Sequence, residues 1–319
     1  MKVITSLLTT LLLATSALAE DKTIIRFGHF PNITHAQGVI AHGLTRAGKG
    51  WFEERLGPGV EIQWFTYNAG PSAMEAVFAN SVDLTYVGSG PALNAHFKSV
   101  GQEIRVIGGA ANGGAALVVQ PDGRIKTAAD FRGKKIGTPQ LGNTQDISCR
   151  AWLKQQGFKI TQLGGDAIVL PTNNPDQLGL FQKGDLDAVW TVEPWVTRLT
   201  SEGKAKVFLE DKEVITTWLV SSVKFLNEKR DLAKKIAAAN AELTQWVQTH
   251  TEEAQKLFRE EIKAETKTDF SSEALSEAWK RISFTNEVSR ELLNKAVQDA
   301  KDSGFTKGAT DTSKLLETP

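Results

Sequence analysis

Strand-like and helix-like segments alternate along the first part of this 319-residue chain, and the alternation restricts the fold more than any other feature. Residues 23–28, 60–66 and 82–87 are rich in β-branched and aromatic residues and alternate apolar with polar side chains, as strands do. Residues 36–56 carry apolar side chains at nearly helical spacing and end at Gly57, which predicts a helix with a firm stop. Strands separated by helices in this way predict βαβ units in an open α/β sheet.

The same alternation returns in the middle of the chain, beyond a glycine-rich stretch at residues 108–114. Strand and helix patterns alternate there at residues 115–120, 135–137, 144–156, 167–170, 175–182 and 188–191. From Leu226 onward the pattern is almost entirely helical, and the tail from Ser303 contains few apolar residues. We therefore predict two α/β lobes, a helical C-terminal section and a loosely held tail. Because no linker rich in proline, serine or charge separates the lobes, we expect the chain to cross between them more than once.

The N-terminal segment has the three parts of a secretory signal peptide. Lys2 supplies a positive charge, residues 3–13 are mostly apolar, and residues 17–19 form an A-x-A cleavage motif. A frayed cytosolic N-terminus is the alternative interpretation. We predict that residues 1–19 are a signal peptide cleaved after Ala19. No later apolar stretch approaches the ~20 residues of a membrane span, so the sequence predicts an exported, soluble protein.

Composition excludes several function classes. Lys and Arg total 37, and Asp and Glu also total 37, so the chain lacks the basic excess that binding to nucleic acid or an anionic membrane requires. Cys149 is the one cysteine in the sequence, which rules out an internal disulfide, a cysteine zinc site, a CxxC pair and an iron–sulfur cluster. We predict that Cys149 is a small buried side chain rather than a nucleophile.

Motifs for metal, nucleotide or catalytic sites do not stand out. His29, His35 and His42 are spaced six and seven apart, which is not the spacing of a helical zinc motif, so capping or core roles are favoured. The glycine pairs at residues 108–109 and 113–114 match neither a dinucleotide fingerprint nor a P-loop. We expect no metal, no cofactor and no catalytic residues.

The most informative polar residues follow predicted strands, at the points where the next helix begins. In open α/β sheets, ligands bind at the carboxyl ends of the strands. A helix N-terminus there has unpaired N–H groups and about half a positive charge, so it can hold an anion without lysine or arginine. Four segments fit, and their candidate ligand-binding residues are Phe30, Asn32, His35 and Gln37, then Ser89 and Gly90, then Asn143, Thr144, Gln145 and Asp146, then Trp190, Glu193 and Trp195. Ordinary helix caps, a plain loop and core tryptophans are the structural alternatives.

Several short segments occur in a recognisable order along the chain. They are residues 25–28 (IRFG), 50–53 (GWFE), 67–76 (YNAGPSAMEA), 83–88 (DLTYVG), 113–119 (GGAALVV), 135–138 (KIGT), 142–146 (GNTQD) and 193–195 (EPW). In this order they resemble the substrate-binding proteins of sulfonate, taurine and nitrate ABC importers. The resemblance runs from about residue 23 to residue 225, and the segments are specific as a set although each is weak alone.

The resemblance implies a two-lobed periplasmic binding protein of type II, with chain crossings near residues 110–118 and 205–215 and a small ligand in a central cleft. The implied domains are residues 20–112 and 214–319 for lobe I and residues 113–213 for lobe II. Ligand contacts to both lobes would drive a hinge closure. The implied partner is the membrane permease of an ABC importer, and the implied location is the periplasm. Nothing in the sequence suggests more than a monomer.

The candidate residues suit a sulfonate. A sulfonate is ionised at any physiological pH, so its oxygens need hydrogen-bond donors only, and none of the four segments contains lysine or arginine. Phe30, Trp190 and Trp195 would line the region that receives an organic tail. Glu193 or Asp146 would pair with an ammonium group and so favour taurine over an alkanesulfonate.

Other interpretations stay open at the level of sequence. Related proteins of the same fold bind nitrate or a thiamine-pyrimidine precursor, and some related sequences are enzymes of thiamine-pyrimidine synthesis. The enzyme pattern includes a cysteine-rich motif, which Cys149 alone does not supply, and export would place the chain in the wrong compartment. A sensor that presents its ligand to a membrane receptor is a third interpretation. We predict a binding protein for taurine or an alkanesulfonate that serves an ABC importer, and not an enzyme.

Overall fold

The structure is a computed structural model that describes residues 22–319, and the predicted signal peptide lies outside these residues. The strands are β1 (Thr23–His29), β2 (Val60–Thr66), β3 (Leu84–Val87), β4 (Ile104–Gly113), β5 (Ala115–Val119), β6 (Lys135–Thr138), β7 (Ile160–Thr161), β8 (Gly164–Gly165), β9 (Ile168–Pro171), β10 (Ala188–Val192), β11 (Lys206–Asp211), β12 (Ile215–Ser222) and β13 (Ile282–Phe284). The α-helices are α1 (Ala36–Arg46), α2 (Trp51–Leu56), α3 (Gly70–Phe78), α4 (Ser89–Lys98), α5 (Thr144–Gln155), α6 (Asn174–Gln182), α7 (Trp195–Ser201), α8 (Val223–Glu228), α9 (Arg230–Thr249), α10 (Thr251–Thr266), α11 (Ser272–Trp279) and α12 (Arg290–Ser303).

The first sheet has six strands in the order β13-β4-β12-β3-β1-β2. β1 runs parallel to β2, with Ile25 opposite Ile62, and also parallel to β3, whereas β12 and β13 pair antiparallel with their neighbours. Helices connect the three parallel strands, as the alternation of the sequence predicts. The helix predicted over residues 36–56 is in fact two helices, because the chain turns at Gly48, which has a φ of +72°.

The second sheet has five strands in the order β11-β5-β10-β6-β9. β6 pairs parallel with β9 and β10, and β5 pairs antiparallel with β10 and β11. The core beside this sheet includes Phe131, Cys149, Leu153 and Trp190. Burial raises the pKa of the Cys149 thiol, so this cysteine is a protonated core side chain at neutral pH.

The chain passes between the two sheets twice. It leaves β4 for β5 through Gly113 and Gly114, each with a φ of +70°, and it returns from β11 to β12 through residues 212–214. A Cβ at Gly114 would lie 2.6 Å from Cγ1 of Ile282, so glycine is needed there for packing as well as for backbone conformation. Two short segments therefore connect two α/β lobes.

The C-terminal helices pack mainly on the first lobe. Ile236 of α9 and Phe258 of α10 belong to the same core as Ile25 and Phe27 of β1. The pattern predicted as almost entirely helical is interrupted by β13, which adds an edge strand to β4. α12 packs against α5 of the second lobe as well as against α4 of the first. Within residues 22–319, no helix has both the length and the apolar character needed to cross a bilayer.

The tail after α12 is held in place, although the sequence predicts a loose one. Leu315 is fully buried in the first lobe, and the N–H of Val106 donates to its carbonyl at 2.8 Å. Glu317 forms ion pairs with Arg105 and Arg230. The prediction from low apolar content was wrong, because one buried side chain and one backbone pairing are enough to hold so short a segment in place.

Candidate functional site

A cavity lies between the two lobes, at the carboxyl ends of their parallel strands. Its empty space is about 320 Å³, including the part that is open to solvent. The first lobe contributes the segments after β1, β2 and β3 together with β12, and the second lobe contributes the segments after β6 and β9 together with β10. The lining residues are Phe30, Asn32, Thr34, His35, Asn68, Ala69, Gly70, Gly88, Pro91, Pro139, Asn143, Thr144, Gln145, Asn174, Val192 and Thr216.

The two lobes contact each other around this cavity. On one side, Nε1 of Trp195 in the second lobe donates to Oδ1 of Asn32 in the first at 2.8 Å. On the other side, the N–H of Gly90 in the first lobe donates to Oγ1 of Thr144 in the second at 3.2 Å. The structure therefore shows the lobes closed on each other.

The N-terminus of α5 forms one wall of the cavity. Asn143 caps this helix, because its Oδ1 accepts the N–H of Asp146 at 2.9 Å while its Nδ2 donates to Oε1 of Gln145 at 2.9 Å. The N–H groups of Thr144 and Gln145 lie in the first turn, where no helical acceptor exists. Since these residues line the cavity, the positive end of a 12-residue helix faces it.

Two helices of the first lobe also begin at the cavity. α4 follows its cap residue Gly88, and α3 begins at Gly70 with a proline in its first turn. A Cβ at Gly88 would overlap Oγ1 of Thr144, and a Cβ at Gly70 would overlap the ring of Pro91. Glycine therefore lets these helix ends approach their neighbours closely. Together with α5, three helix N-termini meet at one cavity and create a positive potential without a cationic side chain.

The loop after β1 adds an aromatic ring, an amide and an imidazole to the wall. The rings of Phe30 and His35 stack with their centroids 4.2 Å apart. Burial, with a smaller contribution from the nearby His29, holds the pKa of His35 well below its usual value, so this ring is neutral at pH 7. Because Oδ1 of Asn32 accepts from Trp195, the amide N–H₂ of Asn32 is left as a donor for the cavity.

The sequence analysis did not identify several residues of the lining. Two polar examples are Asn68 and Asn174. Asn174 begins α6, and its Oδ1 accepts from Oγ1 of Thr191 at 3.0 Å, which leaves its N–H₂ to donate. Asn68 precedes α3, and its Nδ2 donates to the carbonyl of Pro139 across the cleft at 3.3 Å. Each follows a strand and lies at or just before the start of a helix with proline in its first turn, the same signal that singled out Ser89.

Six of the thirteen predicted ligand residues line the cavity, and seven lie outside its lining. Those in the lining are Phe30, Asn32, His35, Asn143, Thr144 and Gln145. Those outside it are Gln37, Ser89, Gly90, Asp146, Trp190, Glu193 and Trp195. The structure thus brings together predicted residues from both lobes, but fewer than the sequence suggests.

Three of the outlying residues stabilise the first lobe or the contact between lobes. Oγ of Ser89 donates to the carbonyl of Ile215 at 2.9 Å. Nε2 of Gln37 donates to the carbonyl of Ala110 at 2.9 Å. Gly90 contacts the second lobe instead of the cavity. The hydroxyl of Ser89, Nε2 of Gln37 and the N–H of Gly90 therefore already donate to groups within the protein.

Asp146 is a buried carboxylate that organises the start of α5. Its Oδ2 accepts from Nε of Arg150 and from the N–H of Gly142, each at 2.9 Å, and its Oδ1 accepts from Oγ1 of Thr138 at 2.9 Å. Both oxygens are therefore directed into the second lobe. The predicted pairing of Asp146 with an ammonium group does not match this placement.

Glu193 is also fully buried and engaged with protein groups. It accepts from the N–H and Oγ1 of Thr197, both at 3.0 Å, and from Nη1 of Arg281 at 2.7 Å. Burial raises the pKa of Glu193, although Thr197 and Arg281 oppose that shift. Glu193 does not line the cavity, so it supplies no ammonium partner there either.

The two predicted tail-binding tryptophans lie behind the wall. Trp190 belongs to the core of the second lobe, with its ring centroid 6.1 Å from that of Trp152. Trp195 orients Asn32 through its Nε1. The apolar part of the lining consists instead of Phe30, Ala69, Pro91, Pro139 and Val192.

The lining contains no lysine, arginine, aspartate or glutamate among residues 22–319. Its polar groups are backbone N–H groups, threonine hydroxyls, asparagine and glutamine amides and the neutral ring of His35. One imidazole without a carboxylate or thiolate is not the donor set of a metal site. The arrangement is suited to an anion that accepts hydrogen bonds and keeps its full charge.

Comparison with known proteins places the chain in a family. The sequence model of the NMT1-like family matches residues 18–259. A Bacillus subtilis (strain 168) protein named for binding aliphatic sulfonates is 24% identical over 270 residues, which span 82% of this chain and 77% of that protein. The taurine-binding periplasmic protein of Escherichia coli (strain K12) is 27% identical over 177 residues, which span 56% of this chain and 52% of that protein.

A solved structure has the same fold. The alkanesulfonate-binding protein SsuA from Xanthomonas axonopodis pv. citri, bound to MOPS, superimposes with a TM-score of 0.73 at 16% identity and covers 93% of this chain and 97% of that one. This likeness confirms the predicted two-lobed α/β fold of periplasmic binding proteins. Since the family match spans well over half of the chain, this protein belongs to the NMT1-like family, in agreement with the resemblance of its sequence to the substrate-binding proteins of sulfonate, taurine and nitrate ABC importers.

Proposed function

We propose that this protein captures a small organosulfonate in the cavity between its lobes and delivers it to the membrane permease of an ABC importer. The observation that carries the proposal is the lining, which offers donors from both lobes and, among residues 22–319, no charged side chain. A sulfonate suits such a wall because its oxygens only accept hydrogen bonds and it carries one negative charge at every physiological pH. A phosphate dianion would call for arginine, or for a carboxylate to accept its remaining proton.

An organic tail has a place in the same cavity. Phe30, Pro91, Pro139 and Val192 add apolar surface beside the helix N-termini. Burying an alkyl chain against such surface contributes about 0.8 kcal/mol for each CH₂ group. Nitrate has no such group, so the apolar lining supports a sulfonate over nitrate.

An alkanesulfonate without an amine fits this chain better than taurine does. The two carboxylates that the sequence suggested as ammonium partners, Asp146 and Glu193, bond to Arg150 and Arg281 instead. An ammonium group buried there would lose hydration, and the lining has no carboxylate to compensate its charge. We therefore propose that ethanesulfonate and its longer homologues bind more tightly than taurine.

The proposal extends to the whole chain. Residues 20–112 with 214–319 form lobe I, residues 113–213 form lobe II, and a ligand that contacts both lobes favours their closed arrangement. Residues 1–19 direct export, and the protein is a monomer in the periplasm. There the permease binds its closed form. Support comes from the two sheets, from the contacts across the cleft and from relatives named as binding proteins, which also favour binding over catalysis.

A ligand panel tests this function. The mature chain is titrated calorimetrically, and its unfolding temperature is followed, with ethanesulfonate, taurine, nitrate, sulfate and a thiamine pyrimidine. A ligand at about 1,000 times its Kd adds about 4 kcal/mol to the free energy of unfolding, which is easily detected. We expect the strongest response from ethanesulfonate. A response confined to nitrate or the pyrimidine would contradict the substrate and leave the fold untouched.

A matched pair of hydroxyl variants locates the ligand. Oγ1 of Thr144 accepts from Gly90 and keeps its own proton for a ligand, whereas Oγ of Ser89 donates its proton to the carbonyl of Ile215. Thr144→Val should weaken ethanesulfonate binding by about 1–3 kcal/mol, or roughly 5- to 150-fold. Ser89→Ala should lower the unfolding temperature and leave Kd within about twofold. Equal losses of affinity in both variants would mean that the hydroxyls act through lobe packing and not on the ligand.

A further inference from the structure

Three side chains with metal-binding atoms meet behind the loop that carries Phe30. His29 ends β1, His42 lies on α1 and Glu265 lies on α10, and these three residues are called the His–Glu group below. Nε2 of His29 lies 3.0 Å from Oε1 of Glu265, and Nδ1 of His42 lies 2.7 Å from the same oxygen. The two nitrogens are 3.0 Å apart. Three polar atoms from three separate elements therefore form a nearly equilateral triangle.

Hydrogen bonds account for two sides of this triangle and leave the third without one. Its angles are about 60°, so an N–H group at one corner can point at only one of the other two atoms. If both imidazoles donate to Oε1 of Glu265, two nitrogens that carry hydrogens face each other without an acceptor between them. A cation about 2.0–2.2 Å from all three atoms would use one lone pair from each.

A second, independent observation concerns the other oxygen of Glu265. Oε2 is buried and has no hydrogen-bond partner within residues 22–319, and the side chain is 5% exposed. A buried carboxylate oxygen without a donor is costly, and coordination of a cation by the carboxylate removes that cost. Nδ1 of His29 lies 3.4 Å from the carbonyl of Phe30, which is the kind of outer contact that a metal-bound imidazole makes.

The charges around the group favour a dication. Oε1 of Glu261 lies 3.4 Å from Nδ1 of His42 and 2.7 Å from Nη2 of Arg46. Two carboxylates, those of Glu261 and Glu265, stand against one guanidinium, that of Arg46, in this partly buried region. Gly43 on α1 lets α10 come this close, since a Cβ there would lie 3.2 Å from Cβ of Glu261.

We propose that Nε2 of His29, Nδ1 of His42 and Oε1 of Glu265 bind one divalent transition-metal ion of the Zn²⁺ class. Two imidazoles and a carboxylate are donors that suit Zn²⁺, Co²⁺ or Ni²⁺, whereas Mg²⁺ and Ca²⁺ prefer oxygen donors throughout. Glu261 or water completes the coordination. The side chain of His42 is 19% exposed, so the ion enters from the surface beside α1 and α10.

This site is distinct from the anion cavity, whose lining includes none of its three residues. The ion ties α10 of the C-terminal section to β1 and α1 of the first lobe. Histidine spacing did not indicate a metal, because Glu265 lies 223 positions after His42 and local motifs do not reach that far.

Titration of the metal-free mature chain with Zn²⁺ tests the site. Calorimetry should show one ion per chain with a micromolar or lower Kd, and the unfolding temperature should rise with Zn²⁺. His42→Gln and Glu265→Gln should each weaken binding by roughly 100-fold, since loss of an outer partner alone costs about 10- to 100-fold. His250→Gln alters an exposed histidine away from the group and should keep the full affinity.

Two results would overturn the site. One is the absence of one-to-one binding at millimolar Zn²⁺, and the other is full affinity in both His42→Gln and Glu265→Gln. Binding of Co²⁺ to the unaltered chain tests the ligands without a substitution, so the test remains valid if a variant fails to fold. Its visible absorption should show nitrogen-ligated cobalt at low coordination number, and the spectrum of hexaaqua cobalt would count against the site.

Discussion

The wall of the cavity between the lobes and the layer directly behind it differ in charge. The wall carries no ionised side chain within residues 22–319, whereas the buried carboxylates of Asp146 and Glu193, each next to a lining residue in the chain, form ion pairs with Arg150 and Arg281. Asp146 fixes the start of α5 from behind and Glu193 fixes the start of α7, while neutral donors line the cavity. This teaches that charge here serves to position the wall, so that the proposed anion would meet only neutral donors, which do not repel it.

The separation has an electrostatic reason. Two like charges 4 Å apart repel by about 4 kcal/mol at an effective dielectric constant of ~20. A carboxylate in the wall would therefore cancel much of what several hydrogen bonds to an anion contribute. When the same carboxylate lies one layer behind the wall and pairs with an arginine, its repulsion of a bound anion is much weaker.

The largest expected effect comes from putting a charge into the neutral wall. Asn174→Asp keeps the size of the side chain and can still accept the bond from Thr191, but it replaces an N–H₂ donor with a carboxylate oxygen. We expect ethanesulfonate binding to weaken by at least about 100-fold, even though the new carboxyl can partly relieve repulsion by taking up a proton. Calorimetric titration at neutral pH measures the change.

Asn173→Asp is the matched control for this variant. Asn173 is the exposed cap of the same helix and does not line the cavity, and aspartate is a good cap. Its affinity for ethanesulfonate should stay within about twofold of the unaltered chain, because solvent screens the exposed charge. Equal affinities in the two variants would mean that the anion binds away from Asn174.

The opposite experiment removes a charge from the layer behind the wall instead of adding one to the wall. Glu193→Gln keeps one acceptor oxygen, which can still take the N–H of Thr197, but it breaks the pair with Arg281, which is 29% exposed and can bond to water. We expect the free energy of unfolding to fall by about 1–3 kcal/mol, less than for a fully buried pair. The ratio of the Kd values for taurine and ethanesulfonate should not change. A loss of affinity for taurine alone would instead place Glu193 in contact with the amine.

These residues also show what a sequence can and cannot predict. The strand-then-helix pattern located Asn143, Thr144 and Gln145, because capping depends on neighbours within four positions. The Asp146–Arg150 pair spans i and i+4 and could have been found in the same way. Glu193 could not be assigned, since its partner Arg281 lies 88 positions later, and the fold alone brings them together.

The same difference between local and long-range information separates the lobes from the His–Glu group. Alternating strands and helices predict two α/β sheets, because each unit is determined by local spacing. The β13 strand and the His–Glu group depend on segments after residue 260 that return to β1, α1 and β4. The sequence shows that histidine and glutamate residues are present, but only the tertiary structure shows that they lie next to each other.

The smallest expected effect tests whether the wall stays neutral. His35 is the one ionisable side chain that lines the cavity within residues 22–319, and burial lowers its pKa. The unfolded chain therefore takes up a proton near pH 6.5 while the folded chain does not, so stability is lost as pH falls below about 6.5. Affinity for ethanesulfonate, by contrast, should vary by less than about twofold between pH 8 and pH 6.5, because His35 is neutral in the free and bound protein. Titrations of the unaltered chain and of His35→Gln across this range should give the same flat profile. If affinity rose on acidification in the unaltered chain but not in His35→Gln, the bound anion would be drawing a proton onto His35, and recognition would include a cation after all.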